Sequence, residues 1–113
     1  MDKLTRELHS FLLALHANPN VVTQQLEHFL KHLVSIIDEN QAESILHYYG
    51  VLNHSQMSLS EIAHDRHMDE DCLLEEIDNN LRRLAITPEW QELRNLALLK
   101  ANSRLTHYHS DNE

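Results

Sequence analysis

Residues 58–84 read SLSEIAHDRHMDEDCLLEEIDNNLRRL, and the fold turns on how this stretch is parsed. Ser58 with Glu61 three residues later forms a capping box. The hydroxyl accepts a free backbone amide, and the carboxylate reaches back to the cap residue's own N–H. A short helix through about Arg66 is expected. His67-Met68 reads as a turn, and Asp69 caps a longer helix carrying Leu73, Leu74, Ile77, Leu81 and Leu84. A short capped helix, a tight turn and a longer helix make the helix-turn-helix pattern. Ala63 is small enough for the two helices to cross closely. Met68 fills the apolar slot of the turn.

Upstream, Leu4, Leu8, Phe11, Leu12 and Leu15 recur at helical spacing, and Asn18-Pro19 ends that segment. Asn20 is the expected cap of a second helix, with Val22, Leu26, Phe29, Leu30, Leu33, Val34 and Ile37 as its apolar stripe. Asn40 followed by Glu43 predicts the start of a third helix, which Gly50 stops. Residues 51–57 read as a loop. Downstream, Thr87-Pro88 restarts the chain as cap and first helical residue, leading into Trp90, Leu93, Leu96 and Ala97. One glycine and two prolines leave little turn chemistry for a sheet. The fold class is therefore all-α, a compact bundle of five to six helices containing a helix-turn-helix. The expected organisation is an N-terminal helical hairpin over 1–39 for docking or dimerisation, the helix-turn-helix and a C-terminal helix over 40–105, and a flexible tail over 106–113.

Composition narrows function. A hydrophobic share of 42% in 113 residues is enough for one packed domain and argues against disorder. Nine Lys and Arg against 18 Asp and Glu give a formal charge of -9, so a simple nucleic-acid coat is excluded unless a local basic face exists. The single cysteine, Cys72, excludes an internal disulfide and a multi-cysteine zinc site, and fits the reducing cytoplasm. No apolar run reaches the roughly 20 residues of a membrane span. Nothing points to a phosphate-binding loop or a nucleophile with its base. A non-enzymatic chain without cofactor is expected.

The stretch from Asn40 to Leu84 resembles region 4 of primary-type sigma factors. The matching residues are Tyr49-Gly50, Leu52, Leu59-Ser60-Glu61-Ile62-Ala63, Leu73, Ile77 and Leu81-Arg82-Arg83-Leu84. The resemblance implies a bacterial transcription protein. It also implies that the second helix reads a promoter element, that the domain docks on the flap of the RNA polymerase β subunit, and that anti-sigma proteins bind it. Three residues depart from the family pattern. Arg66 stands where an apolar residue is usual, His67 replaces the turn glycine, and Ile77 falls one residue late.

The larger departure is charge. Glu61, Asp65, Asp69, Glu70, Asp71, Glu75, Glu76 and Asp78 face only one arginine over that span. The helix dipole accounts for acids in the first turn, but not for Glu75, Glu76 and Asp78. Bases are read mainly by Arg, Lys, Asn and Gln. Each carboxylate held against phosphate costs on the order of 1 kcal/mol. The sequence therefore predicts contact with a protein partner (RNA polymerase, a sigma factor or an anti-sigma factor) through Glu70, Asp71, Glu75, Glu76 and Asp78. The alternatives are a DNA-binding regulator, dimeric through its N-terminal helices and using the basic Arg82, Arg83 and Arg94, and an acidic decoy of a nucleic-acid-binding protein.

Ten histidines are many for this length. His28 and His32 have a helical metal-ligand spacing, and His64 and His67 lie three apart, but solvated imidazoles explain them more simply. No metal site is expected. Cys72 reads as a packed or inert thiol, and Tyr49 and Trp90 as core residues.

Overall fold

The computed structural model describes residues 1–98, apart from the Val21 side chain. It is all-helical among the described residues: α1 Lys3–Ala17, α2 Gln24–Val34, α3 Glu39–Tyr49, α4 Leu59–Asp65, α5 Glu70–Ala85, and α6 from residue 88 to at least 98. A 3-10 turn, Pro19–Val21, joins α1 to α2. The expected tail over 106–113, its His107 and His109, and the end of the C-terminal helix lie outside the described residues.

Local chemistry sets the boundaries. The Asp2 carboxylate accepts from the Thr5 amide and hydroxyl, both at 2.8 Å, and starts α1. Thr23, not Asn20, caps α2, because residues 19–21 are spent on the 3-10 turn. Asp38, not Asn40, caps α3 and accepts from the Asn40 amide. Asp38 lies two residues nearer the apolar stripe of α2, so the link between the helices is shorter than expected. Gly50 ends α3 in the left-handed region at φ 65°, and the Gly50 and Val51 amides both return to the Leu46 carbonyl. A Cβ at Gly50 would sit 2.8 Å from Gln56 Cβ and from His16 Nδ1, so glycine is required twice over. The Ser58–Glu61 capping box forms as expected, and Asp69 caps α5. His67 takes φ 54°, the backbone conformation for which glycine is better suited.

The helices close around one apolar cluster. Leu8, Leu12 and Leu15 of α1, Leu30 and Leu33 of α2, Ile45 and Tyr49 of α3, Ile62 and Ala63 of α4, Leu73, Ile77, Leu81 and Leu84 of α5, and Trp90 and Leu93 of α6 all belong to it. Each buried leucine or isoleucine contributes roughly 1.5–3 kcal/mol on leaving water. The expected hairpin over 1–39 is not what forms. α1 packs chiefly on α5 and also on α3, rather than along α2. Phe11 then meets Trp90 with ring centroids 5.4 Å apart, joining α1 to α6. Tyr49 and Trp90 are core residues, as expected.

Candidate functional site

α5 carries the chemistry of the molecule on two opposed faces. A helix advances 100° per residue, so adjacent residues diverge sharply. Leu73 is fully buried, whereas Leu74 is 45% exposed. Glu75 is exposed, whereas Glu76 is turned inward.

The inward polar face is a connected network. Both terminal guanidinium nitrogens of Arg66 donate to Glu76, Nη2 at 3.3 Å to Oε1 and Nη1 to Oε2. Arg66 Nη1 also donates to Ser44 Oγ at 3.1 Å, and Ser44 in turn donates to the Asn40 carbonyl at 3.0 Å. The buried Asn80 amide donates to Gln41, and Gln41 donates to Glu76. These bonds tie α3, the end of α4 and α5 together. Glu76 is thus removed from the set of partner-contacting residues predicted from sequence. Its carboxylate is spent on Arg66.

The outward face is a groove. Two adjoining hollows, of about 400 and 420 Å³, share His9, Tyr48 and Tyr49. α1 supplies His9 and Leu13, and α3 supplies Tyr48 and Tyr49. Asp71, Leu74, Glu75 and Asp78 of α5 form the opposite bank, with Met1 at one end and Met57 and Ser58 at the other. The Tyr49 hydroxyl lies 2.6 Å from His9 Nδ1, and Tyr48 packs edge-on against Tyr49 at 5.1 Å. Burial, with smaller contributions from Tyr48 and Asp78, pushes the Tyr49 phenol well above its ordinary value. Tyr49 therefore stays a neutral hydroxyl in the groove floor. Asp78 is paired with Arg82 at 2.7 Å. Asp71 and Glu75 make no ion pair with any described residue.

The structure thus brings Asp71, Glu75 and Asp78 together with Leu74 on one stripe. Glu70 is exposed but does not line the hollows, and Glu76 lies behind. The basic residues do not assemble. Arg82 answers Asp78, Arg83 is exposed on the last turn of α5, and Arg94 of α6 pairs with Glu7 of α1 at 2.5 Å. Cys72 is exposed rather than packed, because it falls opposite Leu73 in the first turn. His28, His32, His64 and His67 are all exposed, and no three potential metal ligands converge among the described residues. A further hollow, of about 520 Å³, lies between α1 and α6 and is lined by Phe11, Trp90 and Leu98.

Leu13, Tyr48, Leu74 and His9 were not marked as site residues by sequence reasoning. The signal was nonetheless present in three adjacent apolar pairs: Leu12-Leu13, Tyr48-Tyr49 and Leu73-Leu74. In each pair one member is buried (2%, 1% and 0% exposed, respectively). The other member cannot share that stripe, and all three outward members line the same groove.

No protein-family model, curated protein or solved structure matches the chain. No described helix is long and apolar enough to cross a membrane.

Proposed function

We propose that this chain is a non-enzymatic, cytoplasmic regulator of bacterial transcription that acts by protein contact, through a sigma region 4-like helix-turn-helix formed by α3, α4 and α5. The sequence resemblance over residues 40–84 supports the scaffold. So do the capped α4, the close crossing permitted by the buried Ala63, and the positive φ of His67 at the turn.

One observation carries the choice of protein over DNA. The outward stripe of α5, which would have to enter a major groove, bears Asp71, Leu74, Glu75 and Asp78 and is flanked by α1 and α3. A duplex needs that stripe basic and unobstructed. Of the arginines that could compensate, Arg82 is paired with Asp78 of the stripe itself, and Arg66 and Arg94 are engaged with Glu76 and Glu7.

The test immobilises the chain and offers it bacterial core RNA polymerase, primary sigma factor and an anti-sigma factor separately, with promoter duplex at low salt in a parallel gel-shift assay. Retention of one of the proteins, lost in the Asp71→Lys/Glu75→Lys variant, is the expected result. A duplex shift that weakens steeply with salt, with none of the proteins retained, would overturn it.

A further inference from the structure

We infer that the groove between α1, α3 and α5 binds a cationic amphipathic helix, with the apolar face of that helix on Leu13, Tyr48 and Leu74 and its Lys or Arg side chains on Asp71 and Glu75. This deepens the proposed function and rests on its reading of α5 as a protein-contacting helix.

Three features of the groove select the occupant. The first is charge. The lining holds Asp71, Glu75 and Asp78 and no Lys or Arg. Asp78 is answered by Arg82, which leaves Asp71 and Glu75 as the two lining carboxylates with no ion pair to a described residue. Cations are wanted at that bank and anions are repelled. The second is apolar surface. Leu13 and Leu74 are 46% and 45% exposed and stand on opposite sides of Tyr48, with Met57 partly covered beyond. A purely polar polycation would leave this surface wet.

The third is periodicity. Asp71 and Glu75 are four residues apart on α5, about 6 Å along its axis. A helix lying alongside repeats its own side chains at the same interval, so basic residues four apart meet both carboxylates while leucines three and four apart reach the floor. An extended peptide also brings alternate side chains to one face, about 6.6 Å apart, but no exposed sheet edge among the described residues offers it backbone bonds.

The floor is suited to a helix rather than to an ion. Tyr49 remains a neutral hydroxyl held to His9 at 2.6 Å. The carboxylates that line the groove sit on one bank only. That asymmetry fixes which flank of the incoming helix carries the cations, and so fixes its orientation about its own axis.

The experiment uses the full chain and three labelled peptides of about 18 residues, long enough for five turns. One is an amphipathic Leu/Lys helix. The second has the same composition in scrambled order. The third has Glu at every Lys position. Binding is read by fluorescence anisotropy at low and at physiological salt. The amphipathic basic peptide should bind at least tenfold more tightly than either control. Leu74→Ser should weaken it about tenfold at both salt concentrations, because apolar contact is not screened. Asp71→Asn/Glu75→Gln should weaken it about tenfold at low salt and less at physiological salt. Glu43→Gln/Glu92→Gln removes the same charge from exposed positions outside the groove and should leave the affinity unchanged.

Equal binding of the scrambled peptide, or equal losses in the two double variants, would reduce the effect to net charge and overturn the inference. Self-association of the chain abolished by Leu74→Ser would assign the groove to a second copy and overturn it as well. The two readings fail separately. Peptide binding without retention of any transcription protein sinks the proposed function and leaves the groove's occupant standing. Retention of such a protein that Leu74→Ser does not alter does the reverse.

Discussion

Glu75 and Glu76 are neighbours in the chain and end on opposite sides of α5, as do Leu73 and Leu74. On the inner side, Leu73 enters the core and Glu76 is held by Arg66, beside Gln41 and Asn80. On the outer side, Leu74 and Glu75 are exposed at the rim of a groove. The same two residue types thus serve stability on one face and contact on the other. What separates them is a 100° step and the presence of a partner. A carboxylate with a bidentate arginine is part of the fold, and one without it is available to another molecule.

The sharpest way to break this comparison is to shorten the two leucines separately. Leu73→Ala should cost about 2–5 kcal/mol, through lost transfer free energy and the cavity left behind. Leu74→Ala should stay within roughly 0.5 kcal/mol, since an exposed side chain loses little water-excluded surface. Urea midpoints of the two variants measure the contrast. Similar losses at both positions would mean that the outer face is a seam of the core. The glutamates form the next pair. Glu76→Ala strands a mostly buried guanidinium with only Ser44 as acceptor, and should cost roughly 1–3 kcal/mol. Glu75→Ala should fall within about 0.5 kcal/mol. If the two are alike, the Arg66–Glu76 network does not hold α3, α4 and α5 together.

The helical nature of the chain, and three of its helix starts, were legible in the sequence because caps are local. The Ser58–Glu61 box and the Asp69 cap each need only three or four residues to be recognised. The Asn20 and Asn40 starts failed for the same reason seen from the other side. Two or three cap-competent residues stand close together in each link, and packing decides which one is used. Asp38 displaced Asn40, and Thr23 displaced Asn20, when α2 settled against the core. The placement of α1 on α5 is a choice among equally apolar stripes, and no local signal encodes it.

Of the candidate site, the acidity of α5 was legible and its partition was not. Charge counting treats Glu75 and Glu76 alike. Only the position of Arg66 at the end of α4 tells them apart, and that requires the turn at His67 to bring α4 back onto α5. The apolar pairs were the better guide. A helix stripe has room for one member of Leu73-Leu74, and the other must face water or a partner.

The floor of the groove provides a pH test of the outer face. Burial raises the Tyr49 phenol above its ordinary value of 10.0. Above that pH the unfolded chain releases the proton while the folded chain keeps it. Stability is therefore fully present below pH 10.0 and declines as the pH rises toward the folded value. Urea midpoints on either side of that pH should fall for the native chain and fall less for Tyr49→Phe, which has no proton to release. Identical slopes would mean that Tyr49 is in contact with water and that the groove floor is open.

The smallest expected effect lies at the start of α1, the wall of the groove that faces α5. The Asp2 carboxyl is held below its ordinary value of 3.8, first by the Thr5 amide, then by the Thr5 hydroxyl, with a lesser pull from Arg82 on α5. A lowered value means that the ionised form is favoured in the folded chain. Its contribution is complete above the unfolded value and is lost as the pH falls through the folded one. Asp2→Asn keeps a side-chain oxygen for the Thr5 amide, since asparagine caps as well as aspartate, but removes the titration and the attraction to Arg82. Thermal midpoints of the native chain and the variant should therefore nearly coincide well below pH 3.8, where both caps are neutral, and separate slightly in favour of the native chain at neutral pH. Because the carboxyl is fully exposed, the separation should shrink when salt is raised, as screening removes the Arg82 contribution. A gap that persists unchanged at low pH would mean that the residue holds α1 by geometry alone. The wall facing α5 would then owe nothing to charge, and the electrostatic character of the groove would be confined to Asp71, Glu75 and Asp78.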